Sequence, residues 1–97
     1  MRGLFALALT GLRETCRQRG RERARELFER HDLVEPEERP SYDTLAADCG
    51  ATPAEVSVGL AFARREFRRI LLDRLREITA TDEEFRLEAR LLLGREP

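Results

Sequence analysis

The sequence predicts an all-α fold of about five helices with no sheet, and three observations support this. Apolar residues recur at intervals of three and four positions, which is the helical period. No segment alternates between apolar and polar residues over a useful length, as a strand would. Capping patterns and glycines separate five helical segments. With 97 residues the chain can bury one modest core, so we expect a single all-helical domain over residues 1–97.

Residues 1–31 are predicted to form two N-terminal helices. The first covers residues 4–19 and ends before Gly20, after an Arg-rich turn that suits the negative end of the helix dipole. The second covers residues 21–31, and its apolar residues are expected to pack in the core. The predicted core positions of the two helices are Phe5, Ala8, Leu9, Leu12, Cys16, Ala24, Leu27 and Phe28.

A helix-turn-helix is predicted over residues 41–79, after a loop rich in proline and acidic residues. Ser41 is a suitable N-cap for a short first helix. Thr52 and Glu55 have the spacing of a capping box, with Pro53 at the first helical position, so a long second helix begins there. Its predicted core residues are Val56, Leu60, Ala63, Phe67, Ile70, Leu71 and Ile78.

The internal spacing of this segment favours a helix-turn-helix over a generic pair of helices. Leu45 and the small residue Ala46 are expected where the two helices cross, and Gly50 is expected at the turn. Val56 and Leu60 would point inward from the second helix. Five positions at these offsets are typical of the motif.

A last helix is predicted over residues 81–94. Thr81 and Glu84 repeat the capping-box spacing at its start, and Gly94 closes it. It would flank the helix-turn-helix on the C-terminal side, as the helices of residues 1–31 do on the N-terminal side.

The composition excludes several classes of function. The only histidine is His31 and the only cysteines are Cys16 and Cys49, with no CxxC or HxxxH pair, so neither a metal site nor a cofactor is expected. Nucleotide-binding and hydrolase motifs are absent from the sequence, and the carboxylates lie in helical repeats rather than as an isolated pair. We therefore expect a protein that is not an enzyme.

The N-terminal apolar stretch raises the question of a signal peptide. Arg2 precedes it, as in signal peptides, but the stretch is short and runs into Arg13 and Glu14 without a small-residue cleavage site. A buried amphipathic helix explains it better, and no apolar run is long enough to cross a membrane. The sequence thus predicts a cytoplasmic protein with no membrane partner.

The charge is nearly balanced overall but unevenly distributed. Eighteen basic residues, all arginine, oppose 19 acidic ones, for a net charge of −1. Residues 1–31 carry a net +4 and residues 56–78 a net +3, whereas residues 32–55 carry −6 and residues 79–97 carry −2. The two basic segments could together follow a phosphate backbone, or they could be ordinary solvated helix surfaces.

The motif residues resemble a known family. The run Pro40-Ser41-Tyr42, Leu45-Ala46, Gly50, Val56 and Leu60 through Arg69 is similar to the C-terminal region 4 of extracytoplasmic-function sigma factors. The likeness extends to the preceding helices and to the closing helix. It implies a transcription-initiation module whose second helix reads the promoter −35 element and which contacts the β flap of RNA polymerase. Region 2 of that family is missing here, so this chain alone is not expected to act as a complete sigma factor.

A helical wheel assigns roles to the second helix of the motif. With Val56 facing the core, the outward face carries apolar residues first and arginines later. For a DNA-binding module, Thr52 would offer its hydroxyl and the helix N-terminus to a phosphate. The expected base-edge contacts are Ala54, Ser57, Val58 and Ala61, and the expected backbone contacts are Arg64, Arg65, Arg68 and Arg69.

The outward apolar pair, Val58 and Phe62, leaves two functions open. The pair could meet thymine methyl groups in double-stranded promoter DNA, or it could be covered by protein. In the second case the same fold would be an interaction module that has lost DNA binding and forms a homodimer or binds another partner. For Phe62 itself, we expect coverage by the N-terminal or C-terminal helix of the same chain.

Overall fold

The computed structural model describes residues 2–94, and within them the protein is all-α with no strand. The predicted fold of about five helices is confirmed. A single 3₁₀ turn, Pro36–Glu38, interrupts the loop predicted between the second and third helices. The helices are α1 (Arg2–Arg19), α2 (Glu22–His31), α3 (Tyr42–Cys49), α4 (Pro53–Ile78) and α5 (Asp82–Leu93).

Glycines end α1 and α3 as the sequence predicts. Gly20 and Gly50 have φ angles of 66° and 65°, a left-handed conformation that favours glycine. The backbone N–H of Arg21 donates to the carbonyl of Cys16 at 2.7 Å, and the residue after Gly50 makes the equivalent bond at 2.9 Å. These bonds satisfy carbonyls at the helix ends, so the corner between α1 and α2 is sharply defined.

Side-chain caps fix the start of three helices. Thr52 and Glu55 form the complete capping box at α4, with hydrogen bonds of 3.0 and 3.1 Å between each side chain and the other residue's backbone N–H. Ser41 caps α3 by accepting from the next turn. At α5 the hydroxyl of Thr81 accepts from the N–H of Glu84 at 3.0 Å. The return bond is not formed, so the second capping box is half complete.

The core is built around α4, which packs against each of the other four helices. Leu45 and Ala46 of α3 are buried against Val56 and Leu60 of α4, as the motif spacing predicts. The buried apolar residues of the described chain form one cluster. The residues that α4 contributes to it are Val56, Leu60, Phe62, Ala63, Phe67, Ile70, Leu71 and Leu75.

Two details of the predicted core are wrong. α1 buries a stripe at intervals of four that begins at Leu4, so Phe5 remains 45% exposed at its edge. At the end of α4, Ile78 is 58% exposed and Leu75 is buried instead. Ile78 lies beside Leu7 in the first turns of α1, where no other described helix covers it.

α2 crosses α4 closely at Gly59. A Cβ placed on Gly59 would lie 3.0 Å from Cδ1 of Leu27 and 3.8 Å from Cα of Ala24. A Cβ here would press on the end of the Leu27 side chain, and a side chain as large as valine would overpack the crossing. The small size of Gly59 and Ala24 allows the α1–α2 corner to lie near the start of α4.

We expect Gly59→Val to destabilise the protein by about 1–3 kcal/mol, because the added methyl groups overpack this crossing. The matched control is Ala61→Val, which places the same side chain two residues away on the outward side of α4. That control should cost no more than about 0.7 kcal/mol, the difference in helix propensity. Chemical denaturation of both variants provides the measurement. Equal stabilities would contradict the close approach of α2.

Candidate nucleic-acid interface

The first half of α4 presents an open face to solvent. Ala54, Ser57 and Val58 are exposed, Val58 by 64%, and Ala61 is half-buried beside them. All four predicted base-edge residues therefore lie on accessible surface. They come directly after the turn of the helix-turn-helix, at the end of the helix that enters DNA in such motifs.

Thr52 is already engaged within its own helix turn. Its hydroxyl oxygen accepts the N–H of Glu55, and the carboxylate of Glu55 accepts the N–H of Thr52. The hydrogen bonds from Thr52 lower the pKa of the Glu55 carboxyl. The start of α4 therefore carries a negative charge of its own, which competes with any phosphate that approaches Thr52.

Arg64, a predicted phosphate contact, forms an ion pair within the fold. Its guanidinium donates two hydrogen bonds to the carboxylate of Asp32, at 2.5 and 2.8 Å, which ties α4 to the end of α2. These bonds raise the pKa of Arg64. Burial would raise the pKa of Asp32, but the hydrogen bonds from Arg64 and His31 outweigh it, and the pKa is lowered. His31 in turn packs edge-on against Tyr42 of α3.

The other three predicted arginines are placed differently from one another. Arg65 is exposed and has no ion pair with any described residue. Arg69 pairs along its own helix with Glu66 at 3.0 Å and Asp73 at 3.3 Å, exposed contacts that cost little to exchange for a phosphate. Arg68 is half-buried.

Arg68 borders an apolar groove of about 600 Å³ between α1, α4 and α5. The buried Nε of Arg68 has no hydrogen-bond partner within residues 2–94. The groove is otherwise lined by carbon-rich side chains such as Phe5 and Leu92. Arg68 thus borders this groove and not the one at the start of α4, and its predicted contact with the DNA backbone stays a prediction.

Phe62 is buried, as expected for coverage by the same chain. It is 8% exposed, and two guanidinium groups from the α1–α2 corner lie over its ring. The distances from the ring centre are 5.9 Å for Arg19 and 4.1 Å for Arg21. Of the two residues that were predicted to face outward, only Val58 is therefore exposed. Phe62 is shielded within its own chain and does not need a second chain to cover it.

The α1–α2 corner supplies basic residues that the sequence reasoning did not assign to the site. Arg19, Arg21 and Arg23 have no ion pair with a described residue. Arg21 and Arg23 line, together with Ala54 and Val58, a groove of about 540 Å³ between the start of α2 and the start of α4. The alternation of arginine through residues 17–25 is the sequence signal for this corner.

The α1–α2 corner differs from the rest of the described chain in how its arginines are paired. Most arginines of the described residues outside it are held by acidic side chains. On α1 and α2, Arg13 donates to Glu29 at 2.8 Å and Arg30 donates to Asp48 at 2.7 Å. Further ion pairs occupy Arg17, Arg25, Arg74 and Arg76. Four of the described arginines without an ion pair, Arg19, Arg21, Arg23 and Arg65, thus lie near the open face of α4, while the exposed Arg39 and Arg86 lie elsewhere.

Other site types receive no support from the described residues. No group of three or more metal-ligating side chains occurs within residues 2–94. Cys16 is buried and burial raises the pKa of its thiol, so it is a poor nucleophile. Among the same residues, no helix has the length and apolar character to cross a membrane.

Comparisons with known proteins do not assign the chain to a family. A scan against protein-family models gives no match, and neither the curated proteins nor the solved structures include one that is similar to this chain. The resemblance to sigma region 4 therefore depends on the motif residues alone, and the function implied by it stays a prediction.

The Asp32–Arg64 contact makes stability depend on pH in a definite direction. The lowered pKa of Asp32 adds stability above the ordinary aspartate pKa of about 3.9, and this is lost as the pH falls through the lowered value. At neutral pH, Asp32→Asn should cost about 1–2 kcal/mol. It should also flatten the loss of stability on acidification below about pH 4.

Denaturant unfolding between pH 7 and pH 2 measures both effects. Asp48→Asn is the matched control, because it removes an aspartate from an exposed pair with Arg30 on the same side of the molecule. A variant at Asp32 that unfolds with the same pH profile as the wild type would show that the contact carries no stability.

Proposed function

We propose that this chain is a DNA-binding helix-turn-helix module. The start of α4 enters the major groove, and the α1–α2 corner holds phosphates beside it. The observation that carries the proposal is the position of Arg21 and Arg23. Neither forms an ion pair with a described residue, and both share a groove with Ala54 and Val58 of the open α4 face and with Glu55, whose charge is held in the capping box.

The charge distribution supports an anionic partner at this face. The chain as a whole has a net charge of −1, so general attraction to nucleic acid is not expected. Attraction must come from a local surface. Four arginines near the exposed residues of α4 form no ion pair with a described residue, and against them stands the single carboxylate of Glu55; they are Arg19, Arg21, Arg23 and Arg65. Phosphate contacts position a protein on DNA, while the groove-facing residues of a recognition helix select the bases.

A role in transcription is the more specific part of the proposal. It is supported by the resemblance of residues 40–69 to sigma region 4, and by the burial of Leu45, Ala46, Val56 and Leu60 in the arrangement that the motif requires. On that basis the DNA is a promoter element of the −35 type, and RNA polymerase, through its β flap, is a protein partner.

A salt titration with duplex DNA tests the phosphate contacts. Log affinity should fall linearly with log salt, with a slope of about −0.9 for each phosphate contact. Arg23 and Arg65 have no ion pair or ring contact with described residues, so replacing both by alanine should leave the fold intact. The double variant should lower the slope by about 1.8 in magnitude, which corresponds to two lost contacts.

The matched control is the double variant Arg13→Ala/Arg30→Ala. It removes the same charge from α1 and α2, but from residues that are paired with Glu29 and Asp48. We expect it to keep the wild-type slope. A wild-type protein without salt-dependent affinity, or a slope that both double variants lower equally, would contradict the proposed face.

An interaction module remains the second candidate, and a different surface favours it. Phe62 is buried, but the opposite end of the molecule exposes apolar side chains where α1 begins and α4 ends. Leu7 and Ile78 are 53% and 58% exposed and border one groove. The others that are exposed on α1 and α5 are Phe5, Leu87, Leu91 and Leu92. A second copy of the chain could cover such a surface.

Light scattering after size exclusion separates this candidate from a monomeric DNA-binding module. A homodimer through this end would have twice the chain mass of 11.2 kDa and would return to the monomer in Leu7→Glu/Ile78→Glu. Both side chains are more than half exposed, so the variant should fold. A protein that is monomeric at every concentration would contradict the proposed homodimer.

A further inference from the structure

The open face of α4 lacks the side chains that usually read bases. Direct readout in the major groove depends mainly on arginine, lysine, asparagine and glutamine at base edges. On this face the residues are Ala54, Ser57, Val58 and Ala61, which offer methyl groups and a single hydroxyl. The nearest carboxylate, Glu55, is engaged in the capping box.

Ala54, Val58 and Ala61 form one stripe along the helix. They are spaced by four and three residues, so their side chains lie on the same side of α4. Seven residues of helix extend over about 10 Å, the length of roughly three stacked base pairs. Val58 is the most prominent member, with 64% of its surface exposed.

Thymine is the base that offers an apolar partner in the major groove. Its C5-methyl group projects there, whereas the other base edges present hydrogen-bond donors and acceptors. An apolar stripe opposite guanine or cytosine would leave those polar groups without partners, which costs affinity. Opposite thymine, the same stripe removes methyl groups from water.

We infer that the stripe of Ala54, Val58 and Ala61 selects duplex DNA by contact with thymine methyl groups. This rests on the proposed DNA-binding function and names what the α4 face would recognise. Arg21 and Arg23 border the groove beside Val58, so phosphates and thymine methyls would be held on adjacent parts of one surface. Arg21 also lies over the ring of Phe62, and neither arginine forms an ion pair with a described residue, so their charge complements a phosphate backbone beside the stripe.

Base analogues that differ by one methyl group test the inference directly. The probes are a duplex of alternating dA and dT and the same duplex with deoxyuridine in place of thymidine. The wild-type protein should bind the thymine duplex about fourfold more tightly for each methyl group that it covers. A second pair, alternating dG and dC with and without a C5-methyl on cytosine, should show a gain in affinity upon methylation.

Val58→Ala locates the effect on the protein. It removes two methyl groups from an exposed position, so the fold should persist while the preference for thymine over uracil falls towards one. Leu91→Ala, a truncation of a leucine that is 71% exposed on α5, is the control and should keep the full preference.

The outcomes separate the two proposals. Equal, salt-dependent binding to the thymine and uracil duplexes would overturn methyl recognition but leave DNA binding in place. A methyl preference that survives Val58→Ala would also overturn it, because the methyl group would then be read elsewhere. No binding to any of the duplexes would overturn both the inference and the proposed function.

Discussion

The close crossing of α2 over α4 at Gly59 is the constraint on which the rest of this structure depends. Leu27 and Ala24 occupy the space that a larger side chain at Gly59 would need. As a result, α2 covers the flank of α4 that carries Phe62. The same approach brings the α1–α2 corner, with its arginines, next to the exposed start of α4. A local packing contact thereby determines where positive charge meets the candidate recognition face.

Two groups of arginines in this chain have different physical roles. One group is neutralised within the fold: Arg64 fastens α4 to Asp32, while Arg13 and Arg30 link helices through Glu29 and Asp48. The other group lies around the open face of α4 and forms no ion pair with a described residue. A protein whose charges nearly cancel can therefore still present a locally basic surface.

Much of the fold could be predicted because its signals are local. The capping box at Thr52, the glycine at position 50 and the apolar spacing of α4 each act within a few residues, and each is found as expected. The failures come from tertiary contacts. The burial stripe of α1 depends on which residues face α4, and Phe5 lies one position off that stripe.

The candidate site was less predictable for the same reason. The exposed positions of Ala54, Ser57 and Val58 follow from the helical wheel, because nothing packs over that face. The ion pair of Arg64 could not be deduced from the sequence, because its partner Asp32 is 32 residues away in the chain. The basic corner at Arg19, Arg21 and Arg23 required knowing that α2 folds back onto α4.

The most direct test of the central claim is a map of the surface that contacts DNA. Titration of isotope-labelled protein with a duplex, followed by the backbone amide signals in nuclear magnetic resonance, gives this map residue by residue. The account predicts that shifts cluster in residues 19–23 and 53–65, which are far apart in sequence but adjacent in the fold. Shifts confined to the apolar end formed by residues 4–7 and 78–92, or no shifts at all, would contradict it.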